Sequence, residues 1–175
     1  MALRDKVVAA GDKIHDIDLT YITSRGRWYL ASWKGDEKKS GGVTMNIGVH
    51  FFDMLLWIFG PVVKNTVHLL EPTHATGFLE LQRARVRWFL SVDARHLPPA
   101  AGQQGKTTHR ALILNGDEFE FSEGFTDLHK KSYEHILTGQ GFGISDIRPS
   151  IQLVHDIRNA PHAGFAGEYH PLAGR

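Results

Sequence analysis

The 175-residue chain contains no cysteine, which excludes disulfide frameworks, thiolate zinc sites and cysteine nucleophiles together. Neither sign of charge dominates. Twenty Lys+Arg stand against 19 Asp+Glu, a net charge of +1, so composition gives no electrostatic footprint for nucleic acid or an anionic membrane. Long hydrophobic runs are scarce as well. The longest, residues 49–59, is broken by His50 and Asp53 and is shorter than the ~20 residues a helical bilayer span needs. The N-terminus, MALRDKVVAAGDK, has no apolar signal core, so a cytoplasmic location is expected. The sequence also lacks internal repeats and low-complexity tracts. What it does have is 42% hydrophobic and 22% charged residues, the balance of a soluble globular protein able to bury a core.

Glycine and proline mark the joints, at residues 35–42, 97–105 and 139–143. The middle one, LPPAAGQQG, reads as a mobile loop. Between the joints, period-two alternation predicts strands. Residues 15–23 place Ile17, Leu19 and Tyr21 on one face. Residues 83–92 place Ala84, Val86, Trp88, Leu90 and Val92 on one face and Arg83, Arg85, Arg87, Phe89 and Ser91 on the other. Residues 62–70 and 77–81 are weaker strand candidates. Residues 111–114 and 118–121 flank Asn115-Gly116, a pair suited to the positive φ angles of a tight hairpin. Helices are expected at 3–10, reading as the end of a longer helix, and at 126–137. A third is expected at 47–59, with Asn46 as N-cap and Gly60-Pro61 as stop, and a fourth at 149–159, with Pro149 in its first turn. The absence of β-α alternation argues for an α+β fold with an open, mainly antiparallel sheet. The chain reads as one domain over 1–175, with a core at 13–160 and an irregular tail at 161–175.

The helix at 47–59 is apolar nearly all round, so it is buried. Asn46, His50 and Asp53 recur at i, i+4 and i+7 and share one face of it. A buried polar stripe must be satisfied, which leaves two readings: a core histidine paired with a carboxylate, or a stripe lining a cavity. No further ligand stands at metal-binding spacing, and no metal is expected. Ser40-Gly41-Gly42, just ahead of the helix, permits close backbone approach to a ligand. Lys34, Lys38 and Lys39 flank that loop, with Arg25, Arg27, Trp28, Tyr29 and Trp33 upstream. Cationic and aromatic side chains together suit a sugar or nucleotide carrying anionic groups.

These residues carry a resemblance. SGGVTMNIGVHFFDMLLWIFGP is similar to the segment Gly-Gly-x-x-x-(Asp/Asn)-x-Gly-x-His-x-x-Asp of the Gfo/Idh/MocA oxidoreductases. DIDLTYITSRGRWYLASWKGDEKKSGG and DLHKKSYEHILTGQGFGISDIRPSIQLVHDIR resemble the branch that oxidises the 3-hydroxyl of a UDP-N-acetylamino-uronate for surface polysaccharide sugars. The resemblance implies a two-domain enzyme. In such enzymes a Rossmann domain holds NAD, and a C-terminal α+β domain, its helices packed on one face of the sheet, supplies the substrate pocket and the oligomer interface. This chain is similar to the second domain. The dinucleotide fingerprint Gly-x-Gly-x-x-Gly after an early strand is not in it, so the chain by itself is expected to be inactive. Gly139, Gly141 and Gly143 follow a helix and read as an inter-helix loop.

On this resemblance His50 matches the catalytic histidine, a base for the hydroxyl proton. Asn46 stands where the family often has Asp, and an amide orients a hydroxyl without taking its proton. Asp53 orients or balances charge, and Gly41 and Gly42 match the close-approach glycines. Arg25, Tyr29, Trp33 and Lys34 resemble the border of the sugar-nucleotide pocket. Partners implied are a small-molecule sugar nucleotide and a second copy of the chain, in a homodimer or homotetramer through the sheet. Neither nucleic acid nor membrane is expected. The alternatives are a stand-alone sugar-nucleotide-binding or oligomerisation module without catalysis, or a sibling enzyme acting on an inositol or simple hexose.

Overall fold

In the computed structural model, which describes residues 2–119 and 128–174, alternation of side chains builds one six-stranded sheet. The strands are β1 (His15–Thr23), β2 (Val62–Leu70), β3 (His74–Leu81), β4 (Ala84–Ser91), β5 (Thr108–Leu114) and β6 (Asp117–Phe119). Their spatial order is β2-β3-β4-β1-β5-β6. Among the described residues only β1 and β4 run parallel; every other neighbouring strand pair is antiparallel. The register sets Ile17 beside Val86 and Leu19 beside Trp88, and all four are fully buried. The fold class expected from the sequence is the one observed. The hairpin turn also stands as expected, with Asn115 at φ 54° and Gly116 at φ 94°.

Helices cover that inner face. The long ones are α4 (Val49–Phe59) and α7 (Ile144–Asn159), joined by α1 (Ala2–Ala9). Phe52 of α4 meets the Trp88 indole edge-on, centroids 5.4 Å apart, and burial of a side chain of this size contributes ~1.5–3 kcal/mol. Trp88 has room because Gly77 lies opposite it; a Cβ there would sit 2.5 Å from the indole. Leu3 and Val7 of α1 join the same core, which therefore reaches back beyond residue 13.

The outer face of the sheet is covered by the tail. Residues 161–174 are irregular, in keeping with their lack of period, yet they are fastened along the strands. Glu168 receives Arg85 Nη2 at 2.8 Å and Arg87 Nη1 at 3.0 Å, and Arg87 Nε also donates to Asp18. The Nδ1 of His170 accepts the Leu172 N–H at 3.1 Å, so its Nε2 carries the proton donated to Thr20 Oγ1 at 3.0 Å. The same ring stacks on Phe89, 5.7 Å between centroids. Both ring nitrogens of buried His68 lie against tail carbonyls, Gly164 at 2.7 Å and Glu168 at 2.8 Å.

Several expectations are corrected in detail. The central helix does not begin at a cap on Asn46. Helical backbone is already present at Val43, and Thr44–Gly48 forms a π turn that runs into α4. The helical stretch Glu37–Phe59 is long and apolar enough for a bilayer span by length and composition, but half of its most apolar window is buried inside the fold. Helix α7 starts five residues before Pro149, because the Gly143 N–H is received by Asp146 Oδ2 at 2.6 Å; Pro149 thus falls in the second turn. The segment 97–105 contains a short helix, α5 (Pro99–Gln103). The expected strand at 118–121 and helix at 126–137 extend over residues 120–127, outside the described residues; the rest of that helix is α6 (Leu128–Leu137).

Candidate active site

Two adjoining cavities open where β1 ends and β5 begins, against the start of the central helix. Two short helices frame them, α2 (Gly26–Ala31) and α3 (Glu37–Ser40), joined by a 3-10 turn at Trp33–Gly35. The larger is a cleft of about 300 Å³ lined by Tyr21, Arg25, Asn46, Ile47, His50, Phe51 and Arg110. The smaller, about 30 Å³, is bounded by Arg25, Trp28, Tyr29, Lys34, Asn46 and Ile47 and has room for little more than water. Asn46, Ile47 and Arg25 form the shared wall.

Asn46 is fixed by its donors. Its Nδ2 lies 2.9 Å from the Gly42 carbonyl, 3.3 Å from the Lys34 carbonyl, 3.1 Å from Ser40 Oγ and 3.1 Å from Tyr29 Oη. Two of these are carbonyls, which only accept, so the amide nitrogen must be the atom that faces them. Ser40 Oγ itself donates to the Lys34 carbonyl at 2.8 Å and accepts the Gly42 N–H at 3.0 Å. The amide oxygen of Asn46 has no hydrogen bond among the described residues. It is an acceptor on a residue that lines both cavities, able to receive a hydroxyl proton donor. Tyr29 is buried at 2% exposure. Burial raises its phenol pKa, opposed by the Asn46 hydrogen bond and the nearby Arg25 charge, so it remains a phenol at neutral pH.

His50 is exposed on the cleft wall, one turn beyond Asn46. Asp53 is also exposed but lies outside the cleft, and no salt bridge joins the two among the described residues. The core-pair reading of the polar stripe is thus set aside. The stripe that faces the cleft runs through residues 46, 47, 50 and 51 and stops before Asp53. No group of three His, Asp or Glu side chains able to hold a metal occurs among the described residues.

The other sequence-derived positions divide. Arg25, Tyr29 and Lys34 come together with Asn46 around the smaller cavity. Trp33 does not line either cavity. The 3-10 turn directs it outward at 59% exposure, where the Lys34 ammonium stands 5.9 Å from its ring and 6.0 Å from that of Trp28. Gly41 and Gly42 also stay out of the cavities. Gly41 ends α3 at φ 81°, where a Cβ would meet Met45 at 2.6 Å. Gly42, at φ 71°, offers its carbonyl to Asn46. Their freedom is used by the turn that delivers Asn46.

Sequence reasoning missed Arg110, Tyr21 and Phe51. Arg110 pairs directly with Tyr21 across β5 and β1, with its guanidinium 5.2 Å from the ring centroid. The Tyr21 ring in turn lies 4.7 Å from that of Phe51. The signal was there to find. Arg110 shares period-two parity with fully buried Leu112, and an arginine on the core-facing side of a strand marks a place where that side is not closed.

Comparison with known proteins bears on this geometry. Residues 8–92 match the family model described as the oxidoreductase family, C-terminal alpha/beta domain, of the Gfo/Idh/MocA group. Two structures of the WlbA (WbpB) dehydrogenase from Thermus thermophilus superpose over 97% of the chain. One, in complex with NAD and alpha-ketoglutarate, is 45% identical with a TM-score of 0.89. The other, in complex with NAD and UDP-GlcNAcA, is 44% identical with a TM-score of 0.90. The WlbA dehydrogenase from Bordetella pertussis, 17% identical over 90% of this chain and 57% of its own, shares the fold with a TM-score of 0.62. The chain spans about half of the Thermus proteins it matches, 54% and 55% of their length. It belongs to the Gfo/Idh/MocA oxidoreductase family, as a C-terminal α/β domain.

Proposed function

We propose that this domain is the substrate-binding half of an NAD-dependent dehydrogenase that oxidises the 3-hydroxyl of a UDP-N-acetylamino-uronate. The carrying observation is the convergence of His50 and Asn46 on one cleft with the guanidinium side chains of Arg25 and Arg110. The 44% identity to a protein crystallised with NAD and UDP-GlcNAcA supports the substrate class. The cleft is at the small end of ligand sites, so it takes the sugar ring and leaves the nucleotide to lie across its mouth. Asn46 orients the reacting hydroxyl through its oxygen. His50 removes that hydroxyl's proton as the carbinol carbon is oxidised. NAD, when bound, supplies the hydride acceptor. The present chain has no glycine fingerprint for the dinucleotide, so its residues fit the substrate side of such a site, and catalysis requires the half of the enzyme that carries the cofactor.

The reading extends to a cytoplasmic role in making sugars for surface polysaccharide, and to assembly as a homodimer or homotetramer through the sheet. For assembly the tail is the relevant surface. Glu168 already engages Arg85 and Arg87, whereas Phe165 and Tyr169 on the tail are 46% and 41% exposed.

Calorimetric titration of this chain with UDP-N-acetylglucosaminuronic acid, UDP alone and myo-inositol tests the proposal. Saturable binding of the nucleotide sugar without NAD is the expected result. Binding of inositol but not of the nucleotide sugar would replace the substrate, and no binding of any of the three would end the proposal.

A further inference from the structure

Ser40 ends α3 and is buried, yet it lines neither cavity. Its hydroxyl is used to capacity. A serine hydroxyl has one proton to give and two lone pairs to offer. The proton goes to the Lys34 carbonyl at 2.8 Å, and the oxygen faces the Gly42 N–H at 3.0 Å and Asn46 Nδ2 at 3.1 Å. One atom therefore ties together the 3-10 turn, the left-handed turn at Gly41-Gly42 and the π turn that carries Asn46. The Lys34 end of that tie is itself fixed. Its N–H is received by Ser32 Oγ at 3.3 Å, and the turn packs so closely on α2 that a Cβ on Gly35 would stand 2.5 Å from the Leu30 backbone.

We infer that Ser40 is a positioning residue, whose hydroxyl holds the Asn46 amide so that its oxygen meets the reacting hydroxyl. The inference rests on the function proposed above for Asn46 and adds the group that acts through it. Two features carry it. First, the amide nitrogen has two hydrogens and four acceptors within 3.3 Å, so its direction is decided by competition. By donating to the Lys34 carbonyl and accepting from Asn46, Ser40 biases the amide toward itself and toward the Gly42 carbonyl, the shortest contact at 2.9 Å. Second, with its proton and both lone pairs engaged, the Ser40 hydroxyl has nothing to offer a ligand directly. Its route to the cleft is Asn46, which lines both cavities.

A double-mutant cycle tests this. The chain is titrated with UDP-N-acetylglucosaminuronic acid as wild type, Ser40→Ala, Asn46→Ala and the double variant, and exchange of the Asn46 side-chain amide protons is followed by NMR. Ser40→Ala is expected to weaken binding by about 3–10-fold and to speed that exchange by about tenfold. On the Asn46→Ala background the same change is expected to be silent, within about twofold. A serine that only held the loops would weaken binding alike on both backgrounds, and that result overturns the inference. Unchanged affinity or unchanged amide exchange in Ser40→Ala overturns it too, and leaves the proposed function standing. Thermal melts check folding. Should an alanine variant unfold, Ser40→Cys, close in size but with a weak S–H donor, or Asn46→Ser takes its place in the cycle under the same criteria. A wild type that does not bind the nucleotide sugar removes the proposed function, and amide exchange alone then decides whether Ser40 holds Asn46.

Discussion

The amide nitrogen of Asn46 lies 3.1 Å from the phenolic oxygen of Tyr29, joining the π turn ahead of α4 to the helix α2 and closing the wall between the two cavities. The contact commits the amide's hydrogens to the protein and leaves its oxygen for a ligand. The amide's donors are therefore in use at this position in this chain.

Asn46→Asp is expected to destabilise the domain by about 1–3 kcal/mol at neutral pH. The new carboxylate would face the Lys34 and Gly42 carbonyls, which have no proton to give. Relative to wild type at the same pH the loss should shrink in acid, where a protonated carboxyl regains one donor. Urea unfolding of both proteins at pH 7 and pH 4.5 measures this. Equal stability at pH 7 would show that the amide's donors are not engaged.

His50→Asn is expected to leave stability within about 0.5 kcal/mol of wild type, as for other exposed positions without a buried partner. Placed in an enzyme that carries both halves, the same change is expected to lower kcat by about 10²–10⁴-fold, the usual worth of a positioned base. The pair of measurements matters. A large drop in melting temperature would revive a satisfied His50–Asp53 pair, and unchanged kcat would remove His50 from proton transfer.

Acid is expected to weaken the fold through the tail. Burial lowers the pKa of His170 to about 4, with Arg87 acting in the same direction and Asp18 against. Burial also lowers those of His15 and His74. A histidine whose folded pKa lies below its unfolded value contributes stability that is complete above the unfolded value of 6.5 and is lost as pH falls toward the folded one. For His170 the window is thus about pH 6.5 down to 4, and the loss is on the order of 2–3 kcal/mol. Protonation would also abolish the acceptor that Nδ1 offers to the Leu172 N–H. Limited proteolysis from the C-terminus across this window should show faster tail cleavage at lower pH in the wild type. His170→Phe, which keeps a ring over Phe89, should flatten the profile.

Strand positions were legible wherever burial is one-sided. The limits of β1 and β2 follow directly from alternation, and the inner and outer faces of β4 are those read from its arginines. The first residues of β3, His74 to Thr76, were missed because they carry no large apolar side chain to mark a face. At the site, the residues that α2 and the 3-10 turn bring together were recognised by type, but Trp33 was not separable from its neighbours. One short turn decides that it points outward while Tyr29 points in. Gly41 and Gly42 were legible as backbone flexibility and illegible as to its use. Local sequence reports that φ can be positive without reporting what stands across the gap. Arg110 required knowledge of register, since only pairing with Tyr21 shows which side of the sheet it occupies.

The π turn Thr44–Gly48 spends one residue more than an α-helix would on the same stretch of axis. Each helical residue advances the chain by roughly 100°, so the extra one acts as a fixed angular offset between everything before it and everything after. With Phe52, Leu55 and Phe59 seated in the core, a change in the number of residues between Asn46 and His50 would rotate Asn46, with the Ser40 and Gly42 groups that hold it, out of line with His50. The angular relation of the two polar residues is therefore set by the number of residues between them.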